Sequence, residues 1–348
     1  MSRIQSLAIA AVALVGAASS ASADSLVRPG SLLVFPAYDN YEPLCTITVT
    51  NTNNNLNPVS SAPGALATGT VDVEFVYIEE YTCLEFNRTR RLTPNDTITV
   101  VTRNDNPSGS MGYVYAFAKS PTTGRAIKWD YLVGNSFTLS PNNYGGTNFD
   151  PIVFKAASGI AEGAVTDLDN DFVRDLDGVE YEKVSDKLLV PRFVSQEMGL
   201  SEPQLILIGL SGSAFTTIVD FLIYNDNEEV FSAQYSFVCY KRVGLAQING
   251  AFTNSFLQSS NHAAPEFLTL PTAKCKRWNA SGLYQLETGW YRMDSSIAYS
   301  TAASIQNPAF LAASIDMLPA SGAGLASLPY GIGEQANGDL VPHGPFPN

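Results

Sequence analysis

The sequence predicts an all-β protein built from two immunoglobulin-like antiparallel β-sandwiches, which we interpret as an internal duplication. Three observations indicate this fold class. Short stretches with alternating polar and apolar residues, rich in β-branched and aromatic side chains, recur along the chain. Turn-forming residues separate them, and the first half holds about seven such strands, as an immunoglobulin-like sandwich requires. Short phrases of the first half also recur in the second.

The N-terminus predicts export. Residues 1–23 combine a basic residue (Arg3), a short apolar run and a small-residue site at 21–23, which is the pattern of a cleaved secretory signal. We therefore expect a mature chain that starts at Asp24 and a secreted or extracytoplasmic location in the periplasm, at the cell surface or outside the cell. No later window reaches the roughly 18 apolar residues of a transmembrane segment.

The rest of the chain is too long for one typical core and suits two domains. We divide it into a first sandwich (24–158), an acidic Asp-rich linker (159–186), a second sandwich (187–318) and an irregular Gly/Pro-rich tail (319–348). The predicted strands of the first half are 31–36, 45–51, 71–78, 83–91, 97–102, 112–118 and 127–133. Residues 307–317 read as a short amphipathic helix.

Four pairs of phrases suggest the duplication. Leu32-Leu33-Val34 with Pro36 resembles Leu188-Leu189-Val190 with Pro191, and Cys83 resembles Cys239, both at an offset of 156. The run that begins at Val49 resembles the run at Ile223, and the run at Met111 resembles the run at Thr288. Each match is short, so the alternative explanation is that any two β-sandwiches have similar strand and turn sequences.

The charge balance of the chain predicts two classes of partner that it does not bind. The chain has 20 basic and 33 acidic side chains and a net charge of −13. Nucleic acids and anionic lipids are bound mainly through Lys and Arg, so we predict that neither is a partner.

Four cysteines in an exported chain predict two disulfides: Cys45, Cys83, Cys239 and Cys275. We favour the pairs Cys45–Cys83 and Cys239–Cys275, each within one half. The crossed pairings remain open.

Between the halves lie Asp167, Asp169, Asp171, Asp175 and Asp177, with Gly178 after them. Oxygen ligands two residues apart suit a hard cation. The run resembles the calcium loops of thrombospondin type 3 repeats and, more loosely, those of dockerins and EF-hands, which implies Ca2+ at these five aspartates. It departs from an EF-hand, because Phe172 stands where the loop glycine belongs and Gly178 stands at the twelfth position. A solvated acidic linker is the open alternative.

No catalytic arrangement is recognisable, so we predict that the protein is not an enzyme. The sequence has two histidines, His262 and His343, and Gly209-Leu-Ser-Gly-Ser213 lacks the second glycine of a nucleophile elbow. Trp129 and Trp290 are either core residues or ligand-binding aromatics.

The strand and turn phrases beginning at Ile47, Leu92 and Pro121 resemble those of bacterial exported proteins with Ig-like modules, which implies fold and location. We thus expect a secreted, non-enzymatic, surface-structural or adhesive protein. The alternative is a carbohydrate- or protein-binding module of an exported complex, with an extracellular protein or glycan as partner.

Overall fold

In the computed structural model the chain is all-β, which confirms the predicted fold class. Several antiparallel sheets pack face to face as sandwiches. The structure describes residues 28–54, 69–140, 145–198, 200–212, 214–225, 228–260, 287–318, 323–335 and 338–340.

The first half contains nine strands and one short helix. They are β1 (Leu32–Asp39), β2 (Leu44–Asn51), β3 (Val71–Glu79), β4 (Glu85–Leu92), β5 (Thr97–Val101), α1 (Thr102–Asp105), β6 (Met111–Lys119), β7 (Leu132–Ser140), β8 (Gly145–Phe149) and β9 (Ile152–Phe154). The short strand β10 (Arg174–Asp175) follows in the acidic segment.

The second half begins at β11 (Lys187–Val194). It continues with β12 (Glu202–Gly209), β13 (Thr216–Asn225), β14 (Val230–Phe237), β15 (Tyr240–Gly244), α2 (Leu245–Ile248), a 3-10 turn (Gly250–Phe252), α3 (Asn254–Ser260), β16 (Thr288–Tyr299), β17 (Ser304–Gln306), β18 (Phe310–Leu318), β19 (Ala323–Ser327), β20 (Tyr330–Ile332) and β21 (Asp339–Leu340).

The strand order of the first half repeats in the second. The five-stranded sheet has the order β4-β3-β6-β1-β9, and the six-stranded sheet has the matching order β14-β13-β16-β11-β20, with β17 added beside β16. The third large sheet has eight strands in the order β15-β12-β18-β19-β8-β7-β2-β5. Equivalent strands of the two halves occupy equivalent places counted from its two ends, and the halves meet where β19 and β8 pair in parallel. The predicted internal duplication is therefore visible in the topology.

Each half keeps the central pairings of an immunoglobulin sandwich. In the first half, β2–β5 corresponds to strands B–E, and β3 pairs with β4 and β6 as strand C pairs with C′ and F. The outer strands differ, because β1 lies beside β6 and β7 lies beside β2. The strands at the two ends have thus exchanged sheets relative to an immunoglobulin domain.

Three hydrophobic cores hold these layers together. The first core lies inside the first sandwich and includes Phe35, Phe75 and Trp129. The second core lies inside the second sandwich and includes Phe193 and Phe221. The shared core joins the outer face of the five-stranded sheet to the outer face of β12 and β18; its members include Leu32, Val34, Tyr115, Phe117, Ile206, Ile208, Leu311 and Ile315. The two halves therefore form a continuous stack.

The structure corrects two of the four sequence matches and the register of a third. The bulge in β1 lies between Phe35 and Tyr38, and the bulge in β11 lies between Val190 and Phe193. Equivalent residues of β1 and β11 are therefore 155 positions apart in the chain, which is also the separation of Pro36 and Pro191. The Met111 and Thr288 runs do correspond, since both begin the strand beside that bulge. The phrases at Val49 and Ile223 lie in β2 and β13, which are not equivalent strands.

The favoured cysteine pairing is wrong. Cys83 bonds Cys239, so the bridge crosses between the halves, while Cys45 is buried and bonds no other cysteine among the described residues. The two bonded cysteines are not equivalent, because Cys83 lies in the β3–β4 turn and Cys239 between β14 and β15. Packing of the five-stranded sheet against the second half brings these turns together. Cys275 lies outside the described residues.

Three local predictions are also corrected. Residues 310–318 form strand β18, and the predicted strand 127–133 lies mostly before β7. The tail beyond 319 contributes β19, β20 and β21, where we expected irregular chain. Its small residues allow close approach: a Cβ on Gly331 would lie 1.9 Å from the Ser185 Oγ atom. These segments become strands because neighbouring strands are available to pair with them.

Candidate metal centre

The acidic segment is folded against the shared core. Leu176, Tyr181 and Val184 are buried members of that core. The Leu176 N–H donates to the Gly338 carbonyl at 2.7 Å, and β10 pairs with β21. The run of aspartates is therefore held at the seam between the two sandwiches, with its apolar residues packed inward.

The fold gathers the carboxylates into two overlapping clusters. The inner cluster contains Asp167, Asp169 and Glu180, and the outer cluster contains Asp169, Asp171 and Asp175. In each cluster one oxygen from every residue lies within 4.8 Å of the others, a spacing that can hold a metal ion. Asp169 belongs to both.

The inner cluster combines burial with unsatisfied oxygens. Asp167 is 4 % exposed and Glu180 is 3 % exposed. Glu180 Oε1 accepts from the Leu168 N–H at 2.6 Å, and Asp167 Oδ2 lies 3.6 Å from a nitrogen of Arg174. Asp167 Oδ1 and Glu180 Oε2 are buried and lack a hydrogen-bond partner among the described residues. A buried carboxylate oxygen without a partner is costly, so a proton or a cation bound at these two atoms would stabilise the folded chain.

Arg174 is the buried cation nearest these groups. It is 4 % exposed, and its guanidinium carbon lies 4.8 Å from the centre of the Phe117 ring. Its Nη1 atom is also buried without a hydrogen-bond partner among the described residues. Arg125, at the rim, donates to the Asp167 carbonyl oxygen at 2.9 Å. The inner cluster thus keeps more negative than positive side-chain charge.

Mutual repulsion marks the outer cluster. Burial, followed by the charges of Asp339, Asp171, Asp169 and Asp177 in that order, raises the pKa of Asp175 to about 7. Asp175 stands directly opposite Asp339 in the β10–β21 pair. Burial, followed by Asp171 and Asp177, also raises the pKa of Asp339. Like charges opposite each other in a strand pair are unfavourable unless a proton or a cation neutralises them.

One predicted residue lies outside both clusters. Asp177 Oδ1 accepts from the backbone N–H groups of Val179 and Glu180, at 2.7 and 3.2 Å. Its carboxylate therefore caps the turn at Gly178, whose φ is 89°. Phe172 adopts a φ of 67°, so this position has the backbone of the glycine that it replaces in calcium loops.

Glu180 is the residue that sequence reasoning missed. It lies beyond the alternating aspartates, and no spacing rule connects it with Asp167. The turn at Gly178 reverses the chain, after which the Gly178 N–H donates to Tyr181 O at 2.8 Å. Only this reversal returns Glu180 to the inner cluster. Its position among the nine carboxylates between residues 162 and 186 was the available signal.

The two tryptophans have different surroundings. Trp129 is fully buried in the first core and donates to the Asn51 side-chain oxygen at 3.0 Å, which confirms the core interpretation for this residue. Trp290 is half-buried on the outer face of the six-stranded sheet and stacks on Tyr224 with ring centres 3.9 Å apart. His262 and His343 lie outside the described residues.

Fold and site together define a class: an all-β double sandwich whose seam carries an acidic cluster that can hold a metal ion. No protein-family model, curated protein or solved structure matches the chain. In the part of the chain that the structure describes, none of the helices has the length and apolar content to cross a membrane. The Cys83–Cys239 bridge is compatible with an extracytoplasmic protein.

Proposed function

We propose that this chain is an extracytoplasmic, non-enzymatic, surface-structural or adhesive protein whose seam is stiffened by Ca2+. The ion binds at the inner cluster, through Asp167, Asp169 and Glu180. One observation carries the proposal: two buried carboxylate oxygens, Asp167 Oδ1 and Glu180 Oε2, have no partner among the described residues. A divalent cation supplies the positive charge that these oxygens lack.

Calcium is favoured over the other common ions by the donors. All the side chains are carboxylates, so ions that prefer nitrogen or sulfur ligands are disfavoured. Magnesium demands a small octahedral shell and keeps most of its waters, whereas calcium accepts irregular shells of carboxylates and carbonyls. An irregular loop with exposed Asp169 and Asp171 beside buried Asp167 matches the second description.

The location of the cluster links binding to mechanical function. The segment touches β21 on one side, and its apolar residues enter the core shared by both sandwiches. An ion that ties Asp167 to Glu180 therefore closes the loop around Arg174 and Leu176. A surface protein under load benefits from such a joint, because loop opening would expose part of the shared core.

The test is calorimetric titration of the mature full chain with Ca2+ and, separately, Mg2+, followed by thermal unfolding in calcium and in chelator. We expect measurable binding of Ca2+ and stabilisation of about 2.7 kcal/mol at a free concentration 100 times the dissociation constant. Absence of both heat and a thermal shift would contradict the metal site and leave protonation as the means of neutralising these acids.

Matched variants locate the ion. Glu180→Gln and Asp169→Asn should each weaken Ca2+ binding at least about tenfold, because each removes a charged ligand. Asp177→Asn should weaken it less, since Asp177 belongs to neither cluster. Asp150→Asn, at an exposed acid outside the clusters, is the control for net charge. Equal effects of Glu180→Gln and Asp150→Asn would refute the proposed ligand set.

The location is tested separately. Expression of the full chain in an exporting bacterial host, followed by fractionation and N-terminal sequencing, should give an extracytoplasmic product beginning at Asp24. A cytoplasmic product that retains residues 1–23 would contradict the extracytoplasmic role without affecting the metal site.

A second candidate function, a glycan-binding module, draws on the Trp290–Tyr224 pair. These rings lie on the open outer face of the six-stranded sheet, and the same face carries Tyr330 of β20, which is 53 % exposed. Aromatic rings on a sheet face can pack against sugar rings. Trp290→Ala should abolish binding on a glycan array while leaving thermal unfolding nearly unchanged; unchanged binding, or none by the wild type, would rule this candidate out.

A further inference from the structure

The edge strands of the two halves differ in a way that indicates self-association. β4 and β14 are equivalent edge strands, since β4 flanks the five-stranded sheet and β14 flanks the six-stranded sheet. β4 has the sequence EFNRTRRL and carries four charged residues. β14 has the sequence VFSAQYSF and carries none. Natural sheets place charges or proline on exposed edges to prevent pairing with other strands.

The backbone of β14 is available for pairing. The Asn225 N–H donates to Glu229 O at 3.3 Å, and hydrogen-bonded pairs alternate along an antiparallel ladder. The backbone groups of Phe231, Ala233 and Tyr235 therefore point towards β13. Those of Val230, Ser232, Gln234 and Ser236 point away from the sheet, and no backbone hydrogen bond from another described element reaches them.

The side chains of β14 leave this edge open. Val230, Ser232, Gln234 and Ser236 are exposed on the outer face of the sheet. Phe231, Ala233 and Tyr235 turn the other way and pack against the second core. The other uncharged edge strands in the described part of the chain, β5, β9, β17 and β20, are shorter than β14. Among the described residues, β14 is thus a long edge strand with no charged side chain and no backbone partner on its open side.

We propose that two copies of this chain associate through β14, which pairs antiparallel with the β14 of the second copy about a two-fold axis near Ala233. This inference is independent of the metal site. In that register Val230 pairs with Ser236 and Ser232 with Gln234 of the other copy, so the outward-facing backbone groups all find partners. The two six-stranded sheets become one continuous sheet across the dimer.

The absence of charged side chains on β14 favours a second copy of this chain as the partner that pairs with this edge. The β14 register places only uncharged side chains opposite one another. The equivalent arrangement at β4 would place Arg88 directly opposite Arg88 of the other copy. Like charges directly opposite in a strand pair are destabilising. The net charge of −13 opposes general aggregation, so association is confined to an edge where no acid faces another.

The test is sedimentation velocity of the mature full chain over a concentration series up to about 100 µM, a range that resolves micromolar affinities. We expect a concentration-dependent dimer. Ser232→Pro removes an N–H that points away from the monomer's own ladder, so it should raise the dimer dissociation constant at least about tenfold with little change in thermal unfolding. Gln234→Lys, beside the axis, should do the same through charge repulsion.

Thr99→Lys on the exposed edge strand β5 is the matched control and should leave the dimer unchanged. Amide hydrogen exchange at Ser232 and Gln234 should slow when the wild-type protein is concentrated. A wild-type protein that is monomeric throughout the series would overturn the proposal. So would a dimer that survives both Ser232→Pro and Gln234→Lys, because it would then use a different surface.

Discussion

The two sandwiches share a strand order but bury opposite outer faces. In the first half the outer face of the five-stranded sheet lies in the shared core, while the outer face of β2 and β5 is open and displays threonines. In the second half the outer face of β12 is in the shared core, and the outer face of the six-stranded sheet is open. A tandem duplication that stacks head to tail produces this asymmetry.

Matched positions show how the copies diverged. The inward residues remain apolar and similar: Phe75 of β3 corresponds to Phe221 of β13 by strand register, and both are buried. The outward residues changed with their surroundings. Thr48 on the open face of β2 corresponds to Ile206, which is fully buried in the shared core. The inward-facing residues are thus similar because both halves form the same sandwich. The outward-facing residues differ because each half buries a different outer face.

The largest expected effect comes from placing the same charge on matching outer faces. Val34 and Leu189 correspond through the Pro36–Pro191 alignment; Val34 is fully buried, whereas Leu189 is only half-buried. Val34→Asp should lower the unfolding free energy by about 4 kcal/mol or more, because it buries an unpaired carboxylate. Leu189→Asp should cost about 1 kcal/mol or less. Urea denaturation measures both, and equal losses would contradict the asymmetry.

The disulfide tests whether the halves are fixed to each other. Replacing Cys83 and Cys239 together by serine should lower the unfolding free energy by about 2–4 kcal/mol, since the bridge closes a loop with a sequence separation of 156. Cys45→Ala, at the buried cysteine that bonds no other cysteine among the described residues, is the control and should cost less. Peptide mapping without reduction should yield a Cys83–Cys239 fragment; a Cys45–Cys83 fragment would disprove the connection between halves.

A reciprocal exchange sharpens the comparison at one pair of positions. Ile206→Thr should destabilise by about 2 kcal/mol, because it places a hydroxyl in the shared core and removes apolar volume. Thr48→Ile, on the open face, should change stability by about 0.5 kcal/mol or less. Chemical unfolding at a fixed temperature distinguishes them. If Thr48→Ile were the more damaging change, the assignment of buried and open faces would be reversed.

The smallest effect concerns the segment between the halves. The pKa of Glu162 is raised from its ordinary value of 4.5 to about 7. Burial is the main cause; the charge of Asp130 raises this pKa as well, and the charge of Lys128 lowers it. A raised carboxyl pKa means that the folded state binds the proton more tightly, so stability is lost as pH rises from about 4.5 to about 7. Glu162→Gln should therefore stabilise by about 1 kcal/mol at pH 8 and change little at pH 4.

Measuring unfolding at both pH values checks the sign. The carboxylate oxygen Glu162 Oε1 is buried without a partner among the described residues, in agreement with the expected gain. A loss of stability at pH 8 would mean that the charged carboxylate has a partner in solution.

Local patterns predicted much of the first half and less of the second. Alternation placed the strands around Val49 and Phe75 correctly, because each has one face in the first core. It failed at Phe310–Leu318, where both faces of β18 are covered and the apolar run loses its two-residue period. The tail failed for another reason: Gly331 and Gly324 carry no strand propensity, and their pairing depends on space left by neighbours.

The candidate site divides in the same way. Four of the five predicted aspartates lie in the two clusters, since alternating acids in a short loop are close together whatever the rest of the chain does. The part played by Glu180 and the turn-capping use of Asp177 depend on the reversal at Gly178. The ion itself stays a prediction.

Local sequence patterns were enough to predict the fold class, most strand positions of the first half and the acidic run, because these follow from the alternation and composition of neighbouring residues. The Cys83–Cys239 bond, the burial of Arg174 and the outer face that each half covers depend on tertiary packing. These features join residues far apart in the chain. Their partners are set by how one sandwich stacks on the other, which no local pattern specifies.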